Sequence, residues 1–127
     1  MEKGWKMTEN SYKTPCGCIH YFVNIIDKQK ITLVFLPGLT ADHMLFEKQT
    51  EYFENKQNVF VWDAPSHALS RPFTNNYSLP DMAEWLDKIL AKEEICNPII
   101  VGQSMGGYLA QMYMELYPDK IKGFISI

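Results

Sequence analysis

Cysteine is scarce in this sequence, which contains only Cys16, Cys18 and Cys96. An odd and small number of cysteines argues against a disulfide framework. Cys16 and Cys18 stand one residue apart, but the usual spacing of a zinc site is missing because no His/Cys pair follows in register. We therefore expect reduced thiols and no bound metal.

The sequence also lacks an excess of positive charge and any long apolar run. Its net charge is -3 at pH 7 and both signs are mixed along the chain, so there is no basic stripe of the kind that binds nucleic acid or an anionic membrane. No apolar run approaches the length of a membrane span, and residues 1–15 lack the apolar segment of a secretory signal peptide. We expect a cytoplasmic protein with neither nucleic-acid nor membrane partners.

Short apolar runs alternate with amphipathic stretches along the 127 residues, of which 46% are hydrophobic. This content suits one globular domain with a real core. Runs rich in apolar and β-branched residues predict strands at 18–26, 31–36, 59–62, 98–101 and 123–127. Apolar residues at helical spacing predict helices at about 43–56, 78–90 and 105–116, the first two with Asp42 and Ser78 as N-caps.

The order of these elements predicts the fold class. A polar turn joins the first two strands and indicates a hairpin. Strand–helix repeats follow, so we expect an α/β fold with a mostly parallel sheet and helices on both faces. In such sheets the functional groups lie at the carboxyl ends of the strands.

One of these strand ends carries the sequence Gly102-Gln103-Ser104-Met105-Gly106, which fits G-x-S-x-G. A strand that turns directly into a helix strains the residue at the apex, and glycines two positions away on each side avoid a collision. The strained turn lifts the Ser104 hydroxyl above the sheet. The first free N–H of the helix, that of Met105, is then a natural donor to a developing oxyanion.

The glycine–serine turn has two other interpretations. The serine could be incidental in a glycine turn, although the buried strand before it and the amphipathic helix after it are the context that the motif requires. A dinucleotide-binding turn needs G-x-G-x-x-G, and the glycines at 102, 106 and 107 do not have that spacing.

The stretch resembles the α/β-hydrolase fold family, in particular its single-domain esterases and lipase-like members. The resemblance implies that Ser104 is the nucleophile and that residues 36–39, Leu-Pro-Gly-Leu, form the oxyanion loop, where the family usually has His-Gly. It implies the Leu39 N–H as the second oxyanion donor. Residues 63–70 resemble the family's D-x-P-G-H-G-x-S turn, and we interpret Asp63 and His67 as scaffold. The substrate implied is a small molecule with an ester or related acyl group, and no cofactor is needed.

The catalytic partners of the serine are missing from the pattern. In this family the catalytic acid and then the catalytic histidine follow the serine in the chain. After Ser104 this sequence has two acidic residues, Glu115 and Asp119, and no histidine. The earlier histidines at positions 20, 43 and 67 do not match the family's catalytic histidine, and His43 is interpreted as a helix-terminus residue.

The resemblance implies that residues 1–127 are the amino-terminal part of a single α/β-hydrolase domain, truncated after about the sixth strand. Two hypotheses follow. The chain is part of a serine hydrolase whose acid and base lie elsewhere, or it is a catalytically inactive fragment or interaction half that assembles with another chain. The exposed edge of the final strand would allow such self-association.

Overall fold

The computed structural model describes residues 6–127, which form a six-stranded sheet with helices on both faces. The strands are β1 (Thr8–Thr14), β2 (Gly17–Asn24), β3 (Thr32–Leu36), β4 (Asn58–Trp62), β5 (Pro98–Gly102) and β6 (Gly123–Ser126). The α-helices are α1 (Glu47–Phe53), α2 (Leu79–Lys92) and α3 (Met105–Leu116). The predicted fold class is therefore confirmed.

The strand order is β1-β2-β4-β3-β5-β6, and the last four strands of that order run parallel. The predicted hairpin between 18–26 and 31–36 is wrong, because β4 lies between β2 and β3. All five residues of β4 are buried, because the strand lies inside the sheet with β2 on one side and β3 on the other. The true hairpin joins β2 to β1, a strand of largely exposed polar residues that carries no apolar alternation.

Helices α2 and α3 pack on one face of the sheet. Their buried residues join those of the central strands in a single cluster, which includes Val34, Trp62, Leu86, Ile100 and Leu109. The start of α2 follows the prediction, since Ser78 Oγ accepts the Asp81 N–H and an Asp81 carboxyl oxygen accepts the Ser78 N–H. This capping box sets the start of the helix that covers most of the face.

The opposite face is covered by a shorter element. The predicted helix over 43–56 is a 3₁₀ turn, His43–Phe46, followed by α1. Asp42 caps that turn by accepting the Met44 N–H at 2.8 Å, as predicted. Phe46 packs there against Phe35 of β3 with ring centroids 4.9 Å apart. Across residues 6–127, no helix is both long and apolar enough to cross a bilayer.

Candidate functional site

The carboxyl end of β5 turns into α3 through only Gln103 and Ser104. Ser104 has φ +57° and ψ −119°, a backbone conformation that strains a residue with a Cβ. Ser104 is exposed at the edge of the sheet, while Gly102 and Gly106, two positions away on either side, are buried. The local geometry is thus that of a tight strand–turn–helix with the serine at its apex.

Close backbone contacts explain both flanking glycines. A Cβ added to Gly102 would lie 2.3 Å from the Gly106 carbonyl oxygen, and one added to Gly106 would lie 2.0 Å from the Leu36 carbonyl oxygen. Because these neighbours are main-chain atoms, no side-chain rotation could relieve the overlap. The turn therefore requires glycine at both positions of the motif.

The loop after β3 lies directly beside this turn. The Gly38 N–H donates to Gln103 Oε1 at 2.9 Å, and the Gln103 N–H donates to the Leu36 carbonyl at 3.1 Å. A Cβ added to Gly38 would lie 2.9 Å from the Ser104 Cβ. The loop and the serine turn are in van der Waals contact.

The amides around the serine divide into two groups. Those of Ser104, Gly106 and Gly107 donate to carbonyl oxygens of Ile127, Gln103 and Ser104 respectively. Among the hydrogen bonds described for residues 6–127, none uses the N–H of Leu39 or of Met105. The Met105 amide is the oxyanion donor that the strand–helix turn predicts, and the Leu39 amide is the one that the resemblance implies.

Ser104 opens onto a shallow pocket of about 350 Å³. The pocket is lined by Ser104, Gly107, Tyr108, Gln111, Ser126 and Ile127. No histidine or acidic residue is among the described residues that line it. Glu115 and Asp119, the two acids after the serine, are exposed on and just beyond α3.

The described histidines have partners of their own. His43 Nδ1 lies 2.9 Å from a carboxyl oxygen of Asp63, and the His43 ring contacts the Phe22 ring with centroids 4.3 Å apart and planes tilted by 37°. His67 Nδ1 lies 3.0 Å from the Pro65 carbonyl oxygen, and His20 Nδ1 lies 3.1 Å from Glu9. The sequence interpretation missed the His43–Asp63 pair. The one sign of this pair in the sequence is that each residue follows the carboxyl end of a predicted strand. The structure places those two strands, β3 and β4, side by side.

A family model described as "alpha/beta hydrolase fold" matches residues 31–127, which include the loop after β3 and the serine turn. The chain belongs to the α/β-hydrolase fold family. The match covers more than half of the chain, so the resemblance seen in the motifs is confirmed at the level of the family.

Curated relatives in this α/β-hydrolase family include a Mycoplasma genitalium protein named "Putative esterase/lipase 2", 26% identical over 79% of this chain and 38% of its own length. Another is a "Pimeloyl-[acyl-carrier protein] methyl ester esterase" of Wigglesworthia glossinidia brevipalpis, 25% identical over 84% of this chain. This chain spans 39% of the length of that second relative. The chain therefore spans less than half of either relative.

Among solved structures, an α/β hydrolase from Novosphingobium aromaticivorans superposes with a TM-score of 0.85 at 19% identity. The superposition covers 98% of this chain and 45% of the other. At this identity the similarity shows the fold alone, and the α/β-hydrolase architecture of the described residues is what it supports.

Proposed function

We propose that Ser104 is the nucleophile of a serine hydrolase that acts on an ester or a related acyl compound. The observation that carries this proposal is the strained and exposed serine, held beside the loop of residues 36–39 at the carboxyl edge of the sheet. The names of the relatives, esterase/lipase and methyl ester esterase, support a hydrolase of this class.

The reaction would begin with attack of Ser104 Oγ on the acyl carbonyl carbon. An Oγ–C bond forms, the carbonyl electron pair moves to oxygen, and the hydroxyl proton passes to a base. The proton then goes to the leaving alcohol as its C–O bond breaks, and water later releases the acyl group from the serine. No cofactor takes part in this route.

The amides of Leu39 and Met105 would stabilise the oxyanion. One belongs to the loop after β3 and the other to the first turn of α3, where helix amides lack intrahelical partners. Loss of one oxyanion donor in such sites costs about 3–4 kcal/mol of transition-state stabilisation.

We propose that the catalytic acid and base come from outside residues 1–127, which would then be the amino-terminal part of a single hydrolase domain. Two findings support this: no described histidine lines the Ser104 pocket, and the chain spans 38% and 39% of its two relatives. We further propose a cytoplasmic location, which suits the free thiols of Cys16, Cys18 and Cys96.

Labelling with a fluorophosphonate probe tests the nucleophile. We expect only slow covalent labelling of the 127-residue chain at Ser104, because the strained turn is present but the proposed base is not. This labelling should be lost completely in Ser104→Ala and retained in Ser126→Ala, whose hydroxyl lines the same pocket. We also expect little steady-state turnover of p-nitrophenyl esters, because the base is missing. Labelling that persists in Ser104→Ala would refute the assignment of the nucleophile.

A second candidate function is that of an interaction half. Among residues 6–127, strand β6 pairs with β5 alone, and Ile125 and Ile127 at this edge are 51% and 69% exposed. An unpaired edge with apolar side chains favours strand pairing with another chain, either a second copy or the remainder of a hydrolase domain. A mass above the monomer by light scattering, reduced by Ile125→Lys and accompanied by no labelling of Ser104, would favour this function.

A further inference from the structure

Gln103, the residue before the serine, joins the serine turn to the loop after β3 through both its main chain and its side chain. Its N–H donates to the Leu36 carbonyl at 3.1 Å, and its side-chain Oε1 accepts the Gly38 N–H at 2.9 Å. Its own carbonyl accepts the Gly106 N–H at 2.9 Å, inside the serine turn. One residue thus holds hydrogen bonds to both sides of the site.

The contact between Gln103 and the loop leaves little space for movement. A Cβ added to Gly38 would lie 2.4 Å from Gln103 Oε1 and 2.7 Å from the Gln103 carbonyl oxygen. The side chain therefore sits directly against the backbone of the loop. The loop cannot move closer to the turn, and the hydrogen bond opposes movement away from it.

The Gly38 amide is one peptide unit before the amide of Leu39. When Gln103 Oε1 fixes the first, only the φ and ψ angles of Gly38 remain to orient the second. Glycine is the least restricted residue at those angles, so the close packing of Gly38 against Gln103 must limit them in addition to the hydrogen bond.

We propose that Gln103 is a positioning residue, which through the Gly38 N–H orients the Leu39 amide toward the oxyanion formed on Ser104. The role rests on the proposed hydrolase function, because the oxyanion arises only in that chemistry. Gln103 does not itself touch the reacting atoms. It acts through the loop, and the hydrogen bond that carries the effect can be observed without any substrate.

The test compares Gln103→Met, which keeps the length of the side chain but removes the acceptor, with Gln103→Glu, which keeps an acceptor oxygen. Gln49→Met is the matched control, because Gln49 is exposed on α1, across the sheet from α3 and the Ser104 pocket. Amide hydrogen exchange at Gly38, followed by NMR in the full 127-residue chain, reports the hydrogen bond. The rate of fluorophosphonate labelling reports the oxyanion site.

We expect Gly38 exchange to become at least about tenfold faster in Gln103→Met, and to stay near the rate of the unsubstituted chain in Gln103→Glu and Gln49→Met. Labelling of Ser104 should slow by about 10- to 100-fold in Gln103→Met and remain unchanged in Gln49→Met. Amides of Val34 and Ile100 in the central strands serve as a check that the fold is intact. If Gln103→Met does not fold, Gln103→Asn, whose acceptor is one methylene short, replaces it with the same expectations.

Unchanged Gly38 exchange in the variant would overturn the proposal, and so would faster exchange with an unchanged labelling rate. If the unsubstituted chain is not labelled at all, the proposed function fails for this chain. In that case Gly38 exchange together with the chemical shift of the Leu39 amide decides whether Gln103 positions the loop.

Discussion

The partly buried His43 pairs with the buried Asp63, with His43 Nδ1 2.9 Å from a carboxyl oxygen of Asp63. The same oxygen accepts the His43 backbone N–H at 2.7 Å, and the other accepts the Leu69 N–H at 3.2 Å. The Asp63 side chain is fully buried, at the carboxyl end of β4 next to β3. Asp63 therefore joins the segments that follow β3 and β4, close to where the candidate site is built.

Replacing Asp63 by Asn should lower the free energy of unfolding by about 2–3 kcal/mol. The amide keeps one acceptor oxygen, but its NH₂ group would face an N–H donor in place of the second oxygen. Urea denaturation measures the change. Asp119→Asn, at an exposed position, is the control and should change stability by less than about 0.5 kcal/mol. Equal stabilities of the two variants would contradict this account of the Asp63 contacts.

Gly106→Ala should destabilise the protein by about 2 kcal/mol or more, since the new methyl group would overlap the Leu36 carbonyl oxygen. We also expect Ser104 labelling to be lost, because the overlap pushes the serine turn away from the loop. The control is Gly123→Ala in β6, where the nearest atom to an added Cβ is the Ile99 side chain at 3.5 Å. Thermal and urea unfolding of both variants provide the measurement, and similar losses at the two positions would refute the argument.

Ser104→Gly should be more stable than Ser104→Ala by about 1 kcal/mol, although neither can be labelled. Alanine keeps the backbone strain of φ +57° and ψ −119°, whereas glycine relieves that strain. Glycine also raises the conformational entropy of the unfolded chain, but this cancels only part of the stability gained. At Ser126, which lies in β6, the order should be reversed, since glycine weakens an ordinary strand position. If alanine is the more stable choice at both positions, the serine turn is not strained.

The stability of the fold should decrease above pH 10, in part because of Tyr113. Burial of this ring, followed by its hydrogen bond to Asp87 at 2.9 Å, raises the pKa of Tyr113 well above its ordinary value of 10.0. Above pH 10 the unfolded chain therefore loses this proton while the folded chain keeps it. The free energy of unfolding should then fall by up to about 1.4 kcal/mol per pH unit for this group.

Tyr113→Phe should make that decline shallower between pH 10 and 12, as measured by urea unfolding at each pH. Tyr21→Phe should have a similar effect, because burial and the hydrogen bond to Glu93 raise the pKa of Tyr21 in the same direction. At neutral pH each substitution should cost about 1 kcal/mol for the lost hydrogen bond. An unchanged slope in both variants would show that these hydroxyls do not contribute to alkaline unfolding.

Several features of the fold could be predicted because they depend on residues close together in the sequence. The serine turn needs glycines two positions away, and the start of α2 needs Ser78 and Asp81 three positions apart. The continuous apolar runs of β3 and β4 indicate burial on both faces wherever the strands lie in the sheet. The position of Ser104 at a strand end followed from the same local pattern.

The sequence by itself therefore determined every strand but β1, the α-helices, the fold class and the strained turn that carries Ser104. Only the tertiary structure decided the insertion of β4 between β2 and β3 and the pairing of polar β1 with β2. It also joined Asp63 to His43 across 20 residues and Gln103 to Gly38 across 65. Contacts at such separations depend on which strands become neighbours. That choice is made by burying all the apolar faces together, so no local pattern encodes it.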